Sequence, residues 1–421
     1  MALRPALRTA EILAVGSELL SPYRTDTNSL HLTEKLEDLG IELRGKTIVG
    51  DETAEIEAWI RAALTRVDLI VVTGGLGPTE DDVTREAVAA ALDVEMSEDP
   101  EIVASIEARF ARRQMPMPAI NRRQAQVPSG AEPLANPNGT APGLWIERGD
   151  QAIVLLPGPP REMRAMFASA VFPRLQHRSG GHPLRRRVIK TTGWPESRVD
   201  EVAAPIYGAF ARAPIPISTT ILASPGQIEL HLTAAGDEGG AADSVLELAV
   251  RALTASLSAI VFSTDGRSLE EVVGHLLRDR GLRIGAAESC TGGLALGRMT
   301  DVPGSSRWVT GGIVAYDNRV KIDQLGVRQT LLDEHGAVSE PVARAMAEGI
   351  CERLNCDVGI GVTGIAGPEG GTPEKPVGTV VIAVAIAGDT SCRTFQFIGD
   401  RQMVRTQAVQ AALEMVRRRL I

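Results

Sequence analysis

Apolar residues follow two rhythms along this chain, and the alternation between them predicts its elements. Short apolar runs at residues 9–15, 41–49 and 68–73 read as strands, and the third is apolar enough to be buried on both faces. Between them the spacing turns helical: Leu30, Thr33, Leu36 and Leu39 recur until Gly40 stops the helix, and residues 55–66 make a second one. Asp99-Pro100 opens a further helix with a cap and a proline in first position. Residues 143–147 and 151–156 predict a hairpin, and residues 157–163 a rigid turn onto a helix. Strand and helix in alternation mean a mainly parallel sheet with helices on both faces.

The same rhythm returns twice. Residues 184–192, 215–223 and 227–234 read as strands around Pro225-Gly226, with helices at 196–206 and 241–257, which makes a small α+β module. In the last third, Ser268 and Glu271 form a capping box for a helix to Arg280. Residues 282–287 are an apolar strand, and strands also fall at 357–362, 377–387 and 394–398. A second strand there ends at Tyr316, Asn318 caps the next helix, and Gly399-Asp400-Arg401 opens the last one. Three domains are expected: residues 1–172, 173–258 and 259–421. The fold class is α/β, two three-layer α/β/α domains joined by the α+β module.

Two strand ends bring in chemistry. Residues 286–293, Ala-Ala-Glu-Ser-Cys-Thr-Gly-Gly, form a strand-to-helix turn that presents a hydroxyl beside the free amides of a helix start. Serine needs a base, and histidine, the usual one, lies no nearer than His275 and His335. Lys321 stands one turn into the helix after Tyr316. If their strands are neighbours, Ser289, Tyr316 and Lys321 meet as a Ser/Lys hydrolase site. Cys290 is a rival nucleophile, but adjacent side chains point in different directions, so one of the two faces the site. Residues 363–371 make a glycine-rich loop at a third strand end, and Arg401 could grip a phosphate there.

The other strand end is Thr73-Gly74-Gly75-Leu76-Gly77-Pro78-Thr79-Glu80-Asp81-Asp82. Its glycines let backbone amides approach phosphate oxygens, and Asp81 and Asp82 are placed to hold a divalent metal against them. The bland alternative is a capping box from Thr79 to Asp82. No Walker loop or dinucleotide fingerprint is present.

Composition narrows the rest. At 421 residues, 44% hydrophobic and 23% charged, the chain has the make-up of a globular protein. Residues 1–8 lack the apolar core of a signal peptide and no run spans a membrane, so a cytoplasmic protein without membrane partners is expected. Four cysteines, all in the last third and without a CxxC, indicate neither a zinc cage nor a disulfide framework. A net charge of −9 and 3% aromatic residues argue against nucleic acid as the main partner.

Taken together, Gly-Ser-Glu-Leu-Leu, Thr-Asp-Thr-Asn, the Thr73–Asp82 loop and Pro-Gly-Pro-Pro-Arg-Glu-Met resemble the N-terminal half of the CinA (competence/damage-inducible) family, whose first domain looks like the molybdopterin-binding MoaB/MogA fold. Ala-Glu-Ser-Cys-Thr-Gly-Gly, Tyr-x-x-x-x-Lys, His-Gly-Ala-Val-Ser, Thr-Gly-Ile-Ala-Gly-Pro and Glu-Lys-Pro-Val-Gly-Thr-Val resemble its C-terminal half, the PncC-type nicotinamide-nucleotide amidases. The resemblance covers nearly the whole chain. It implies hydrolysis of nicotinamide mononucleotide (NMN) to nicotinate mononucleotide and ammonia, without a cofactor. Ser289 would be nucleophile, Lys321 base and Tyr316 proton relay, with Thr291, Gly292, Thr363, Gly364 and Arg401 binding substrate. For the first domain it implies a pyrophosphatase acting on ADP-ribose with Mg, Mn or Co. Its nucleotide would lie against Ser17, Glu18, Asn28, Thr73, Gly74, Gly75, Gly77, Thr79 and Gly158, and its metal on Asp81 and Asp82. The resemblance also implies a homodimer and a KH-like middle module, although the module has no Gly-x-x-Gly clamp for a nucleic-acid backbone. Two alternatives stand beside this: an amidase whose first domain only binds a nucleotide or pterin, and a non-enzymatic accessory of competence or DNA repair.

Overall fold

The computed structural model describes residues 5–179, 184–236 and 240–421, so the first four residues of the N-terminal segment lie outside it. The chain divides into two compact units, Met1–Arg185 with Ala235–Ala242, and Arg186–Ala234 with Asp243–Ile421.

The first unit is built on a six-stranded sheet in the order Glu42–Val49, Thr9–Val15, Leu69–Thr73, Gln151–Leu156, Gly143–Arg148 and Ala131–Leu134. The first four strands run parallel and the last two antiparallel. Because strand side chains alternate, Leu13 and Val15 enter one core and Ala10 and Ile12 the other, so each face of the sheet has its own apolar layer. All five residues of Leu69–Thr73 are buried, as its continuous apolar run predicts. Two small features escape the pattern: the strand Ala131–Leu134, and the pair Met96–Glu98 with Gln126–Pro128. They are three or four residues long and two contain proline, too short to show any alternation.

The second unit holds two sheets. One has the order Ser218–Ser224, Gln227–Ala235, Leu184–Thr192, Val261–Ser263, with helices Glu196–Phe210 and Ala241–Leu257. The first helix runs through Pro205, four residues beyond the expected end. In the run Arg185-Arg186-Arg187 on the strand Leu184–Thr192, Arg187 is ion-paired with Glu247 and Asp243 at 2.7 and 3.0 Å.

The other sheet has the order Val309–Val314, Ile284–Glu288, Val358–Gly364, Thr379–Ile386, Asp389–Gln396. The first three strands are parallel and the last two antiparallel. On one face lie the helices Leu269–Asp279, with the expected capping box, and Arg401–Leu420, which buries Val404, Ala408, Val409, Ala412, Leu413, Val416 and Leu420. Each of the valines and leucines among them, fully buried, stabilises the fold by about 1.5–3 kcal/mol. On the other face, helix Glu340–Leu354 rests on bare backbone. A Cβ at Gly359 would stand 2.1 Å from the Ala347 oxygen, and one at Gly361 2.3 Å from that of Ala343. The helix's own Gly349 meets Leu325, the end of helix Asn318–Leu325, with a Cβ there 2.0 Å from the Leu325 oxygen.

Candidate functional sites

The strand Ile284–Glu288 is buried throughout and pairs on both sides, Glu288 opposite Val314 and Val362. The chain leaves the sheet at Ser289, whose amide donates to the Val362 carbonyl at 2.9 Å. Gly292 and Gly293, at φ +61° and +92°, then reverse the chain into helix Leu294–Thr300, a left-handed conformation that favours glycine. Glu288 has no role in the sequence-based expectations, yet it organises this turn. It is 1% exposed, and its carboxylate accepts hydrogen bonds from the amides of Gly293, Ala295 and Leu296 at 2.9–3.1 Å. It thus fills the helix N-terminus where an external anion would otherwise sit. The only sequence signal for it is an acid at the last position of an apolar strand.

The amide of Gly292, a residue expected to bind substrate, is used within the turn, donating to the Ser289 carbonyl at 3.1 Å. The amides of Cys290 and Thr291 make no hydrogen bond among the described residues. Thr291 is fully buried, its hydroxyl unpartnered, and its carbonyl accepts from Arg405 Nη2 at 2.7 Å.

Lys321 is 1% exposed. Its Nζ donates to the carbonyls of Ala315 and Tyr316 at 2.9 and 3.2 Å, and the Ala315 amide in turn donates to the Glu288 carbonyl at 2.8 Å. The lysine is thereby fastened to the strand end beside Ser289. Burial pushes its pKa down from the ordinary lysine value, against smaller upward pulls from Asp317 and Cys290. Two carbonyls match the two hydrogens of a neutral amine and leave its lone pair free. The helix is capped by Asp317, which accepts from the Arg319 amide at 2.8 Å, one residue earlier than the expected Asn318 cap.

Cys290 is buried in the apolar cluster under the turn, near enough to Lys321 to act on its charge. Burial raises its thiol pKa to about 12, so it holds its proton near neutrality. The Ser289 hydroxyl has no hydrogen-bond partner among the described residues, Lys321 included. Such links often close only around substrate. Tyr316 is exposed, and its hydroxyl accepts from Arg401 Nη2 at 3.2 Å, while Arg401 Nη1 donates to the Gly367 carbonyl at 2.8 Å. Arg401 and Arg405 line a cavity of about 340 Å³. Thr363 and Gly364 end a neighbouring strand, but the Thr363 hydroxyl is buried and donates to the Ala337 carbonyl at 2.8 Å.

In the first unit, a cavity of about 880 Å³ lies at the strand ends. It is lined by Glu18, Asn28, Thr73, Gly74, Gly75, Gly77, Asp81, Asp82 and Gly158. Ser17 and Thr79 stand behind this lining: the Ser17 hydroxyl accepts from the Asp51 amide at 3.2 Å, and the Thr79 hydroxyl donates to Asp82 at 2.6 Å. Glycine is obligatory in the loop, since a Cβ at Gly74 would lie 2.1 Å from the Val15 oxygen and one at Gly75 2.1 Å from Thr84 Oγ1. The amides of Gly75 and Leu76 make no hydrogen bond among the described residues. Asn28 Nδ2 donates to the Gly158 carbonyl at 2.7 Å, and its Oδ1 is buried without a partner. Beneath the loop, Arg85 is 1% exposed and donates to the carbonyls of Leu76 and Gly77 at 2.6 and 2.9 Å. An arginine in the first turn of a helix gave no sequence sign of this burial.

Asp81 and Asp82 part company here. The Asp82 carboxylate accepts from the amides of Gly77 and Thr79 and from the Thr79 hydroxyl at 2.6–2.9 Å, so it ties the loop rather than caps a helix. Asp81 is exposed, its carboxyl held below the usual value mainly by the Thr79 hydroxyl. No group of three or more His, Cys, Asp or Glu side chains that could hold a metal occurs among the described residues. An ion shared with substrate phosphates needs one or two protein carboxylates, and Asp81 fits that requirement. No helix among the described residues is long and apolar enough to cross a membrane.

Residues 266–420 match the family described as "CinA C-terminal domain", and residues 11–177 the one described as "Probable molybdopterin binding domain". The chain is 46% identical over 417 residues to a CinA-like protein of Koribacter versatilis, covering 98% of this chain and all of that one. It is 45% identical over 417 residues to a CinA-like protein of Acidobacterium capsulatum, with the same coverage. Among solved structures, the competence/damage inducible protein CihA of Agrobacterium tumefaciens is 41% identical, covers 35% of this chain and 92% of its own, and has a TM-score of 0.34.

Proposed function

Since the chain belongs to the CinA family, we propose that its C-terminal domain is a nicotinamide-nucleotide amidase working by a Ser/Lys mechanism. The supporting observation is Lys321, buried, lowered in pKa and fastened beside the Ser289 turn. Ser289 Oγ attacks the amide carbon of NMN while neutral Lys321 accepts its proton. The amides of Cys290 and Thr291 hold the oxyanion. As the C–N bond breaks, Lys321 returns the proton to departing ammonia, with the Tyr316 hydroxyl as relay. Water, deprotonated by the same lysine, then frees Ser289 and leaves nicotinate mononucleotide. Arg401 and Arg405 favour a substrate that carries phosphate.

The N-terminal domain, on the same proposal, hydrolyses ADP-ribose at its pyrophosphate. The open amides of Gly75 and Leu76, with the Arg85 charge beneath them, suit phosphate oxygens, and the Asn28 Oδ1 suits a donor on the nucleotide. A divalent ion on Asp81 would neutralise pyrophosphate charge and activate water. The commitment of Asp82 to its own loop favours a second reading, in which this domain binds a nucleotide or pterin without hydrolysing it.

Incubation with NMN, and separately with ADP-ribose plus Mg²⁺, Mn²⁺ or Co²⁺, tests both halves. Ammonia from NMN and metal-dependent AMP from ADP-ribose are expected. No ammonia release would sink the amidase, and ADP-ribose bound but intact would select the second reading.

A further inference from the structure

A third cavity, about 660 Å³, lies in the second unit away from the Ser289 turn. Its walls are the loop before helix Glu196–Phe210, the hairpin turn at Gly226, the edge strand Asp389–Gln396 and the middle of helix Arg401–Leu420. The chain has four tryptophans and seven phenylalanines, and this cavity takes Trp194, Phe395 and Phe397. Phe395 and Phe397 are stacked, 5.4 Å apart and 7° from parallel, and all three rings are half-buried and line the cavity. In an aromatic-poor chain that concentration exceeds what covering one helix requires.

Two of these rings also carry a guanidinium, one of which, Arg393, lines the cavity itself. Arg198 lies 3.9 Å over Trp194, and Arg393 lies 5.1 Å over Phe395. Neither arginine has an ion-pair partner among the described residues, whereas Arg418 at the cavity floor is paired with Glu414 at 2.6 Å. An arginine stacked on a ring keeps its N–H edges free for a phosphate. An aromatic lining for a base, an unpaired guanidinium edge at Arg393 for an anion and room for one small molecule point to a mononucleotide.

We propose that the Trp194–Phe395–Phe397 cavity is a nucleotide site, binding a nucleoside monophosphate with its base on the rings and its phosphate on Arg393. It shares no residue with the proposed amidase or pyrophosphatase sites. Its committed occupant is a small nucleotide rather than a nucleic-acid strand, because the volume is that of a single ligand.

The experiment is photolabelling of the full-length protein with 8-azido-AMP, followed by peptide mapping. Label is expected on peptides containing Trp194 or Phe395–Phe397, and unlabelled AMP should compete for it better than adenosine. Trp194→Ala or Arg393→Glu should each lower that label about tenfold while leaving any label at residues 73–82 unchanged. The proposal is overturned if label falls only on residues 73–82 or 289–321 of the wild-type protein. It is also overturned if adenosine competes as well as AMP, or if a single-stranded oligonucleotide displaces the label where AMP does not. The wild-type map decides the question even should a variant fail to fold.

Discussion

The two strand-end sites use the same local plan to opposite ends. At Gly74–Asp82 a glycine-rich turn keeps two amides open, and a buried arginine props the loop from beneath through the Leu76 and Gly77 carbonyls. At Ser289–Gly293 the turn is filled from within, because Glu288 takes three amides of the following helix. The first arrangement attracts an anion to the backbone. The second excludes one, and on the proposed function it leaves the amides of Cys290 and Thr291 for a transient oxyanion and charge recognition to Arg401 and Arg405. Whether a strand-to-helix turn receives phosphate or a reacting carbonyl depends on what already occupies its N–H groups.

The largest test of that contrast is to remove the reacting pair. Ser289→Ala and Lys321→Ala should each cut ammonia release from NMN by about a thousandfold or more, and the double variant little further, because the two act as a unit. ADP-ribose hydrolysis should not change in either. Equal losses in both assays would mean that the two sites do not work independently.

Next in size is Asp82→Asn. It replaces an oxygen acceptor with N–H groups facing the amides of Gly77 and Thr79, a loss of roughly 1–3 kcal/mol to the loop, or about 5- to 150-fold in ADP-ribose turnover. Deamidation should hold steady. Wild-type ADP-ribose kinetics in this variant would show that the loop tie is dispensable.

The third test is pH. Lys321 is active when neutral and its pKa is lowered by burial, so kcat/KM for NMN should climb about tenfold per pH unit on the acid side. It should level off below the ordinary lysine value of about 10.4. The same shift makes the unfolded chain the better proton binder, so this lysine's contribution to stability falls as pH drops from that ordinary value toward the lowered one. A profile still rising at the ordinary value would remove Lys321 as the base.

Smallest is Cys290→Ala, which should change deamidation by less than about threefold, since a thiol with a pKa of about 12 supplies almost no thiolate near neutrality. A dead Cys290→Ala beside an active Ser289→Ala would reverse the assignment.

How much of this the sequence discloses depends on whether a residue acts through its neighbours along the chain. Ser289 and the Gly74–Asp82 loop are readable because an apolar strand, glycines and a helical pattern follow one another directly. Lys321 is readable as one turn into a helix, although the strand before it stops at Val314, and Asp317 rather than Asn318 caps that helix. Glu288, Arg85 and the internal use of Gly292 are not. Each depends on a hydrogen bond made only once the backbone has turned, and a buried charge looks like a surface one until its partners are placed. Both three-layer sheets emerge from periodicity alone, except for strands too short to show any.

Helix Glu340–Leu354 has a consequence for heredity. It is wedged between the glycines of the strand Val358–Gly364 and the end of the helix that bears Lys321, with no room for one added carbon at Gly349, Gly359 or Gly361. The spacing between serine and lysine is therefore gauged by a helix that carries neither. A single-base change from glycine to alanine at these codons would spread the gauge and leave every reacting group in place. Such alleles should behave as temperature-sensitive ones, folding when cool and failing when warm, and a genetic screen for conditional loss of deamidation should return them in preference to charged-residue changes at the surface.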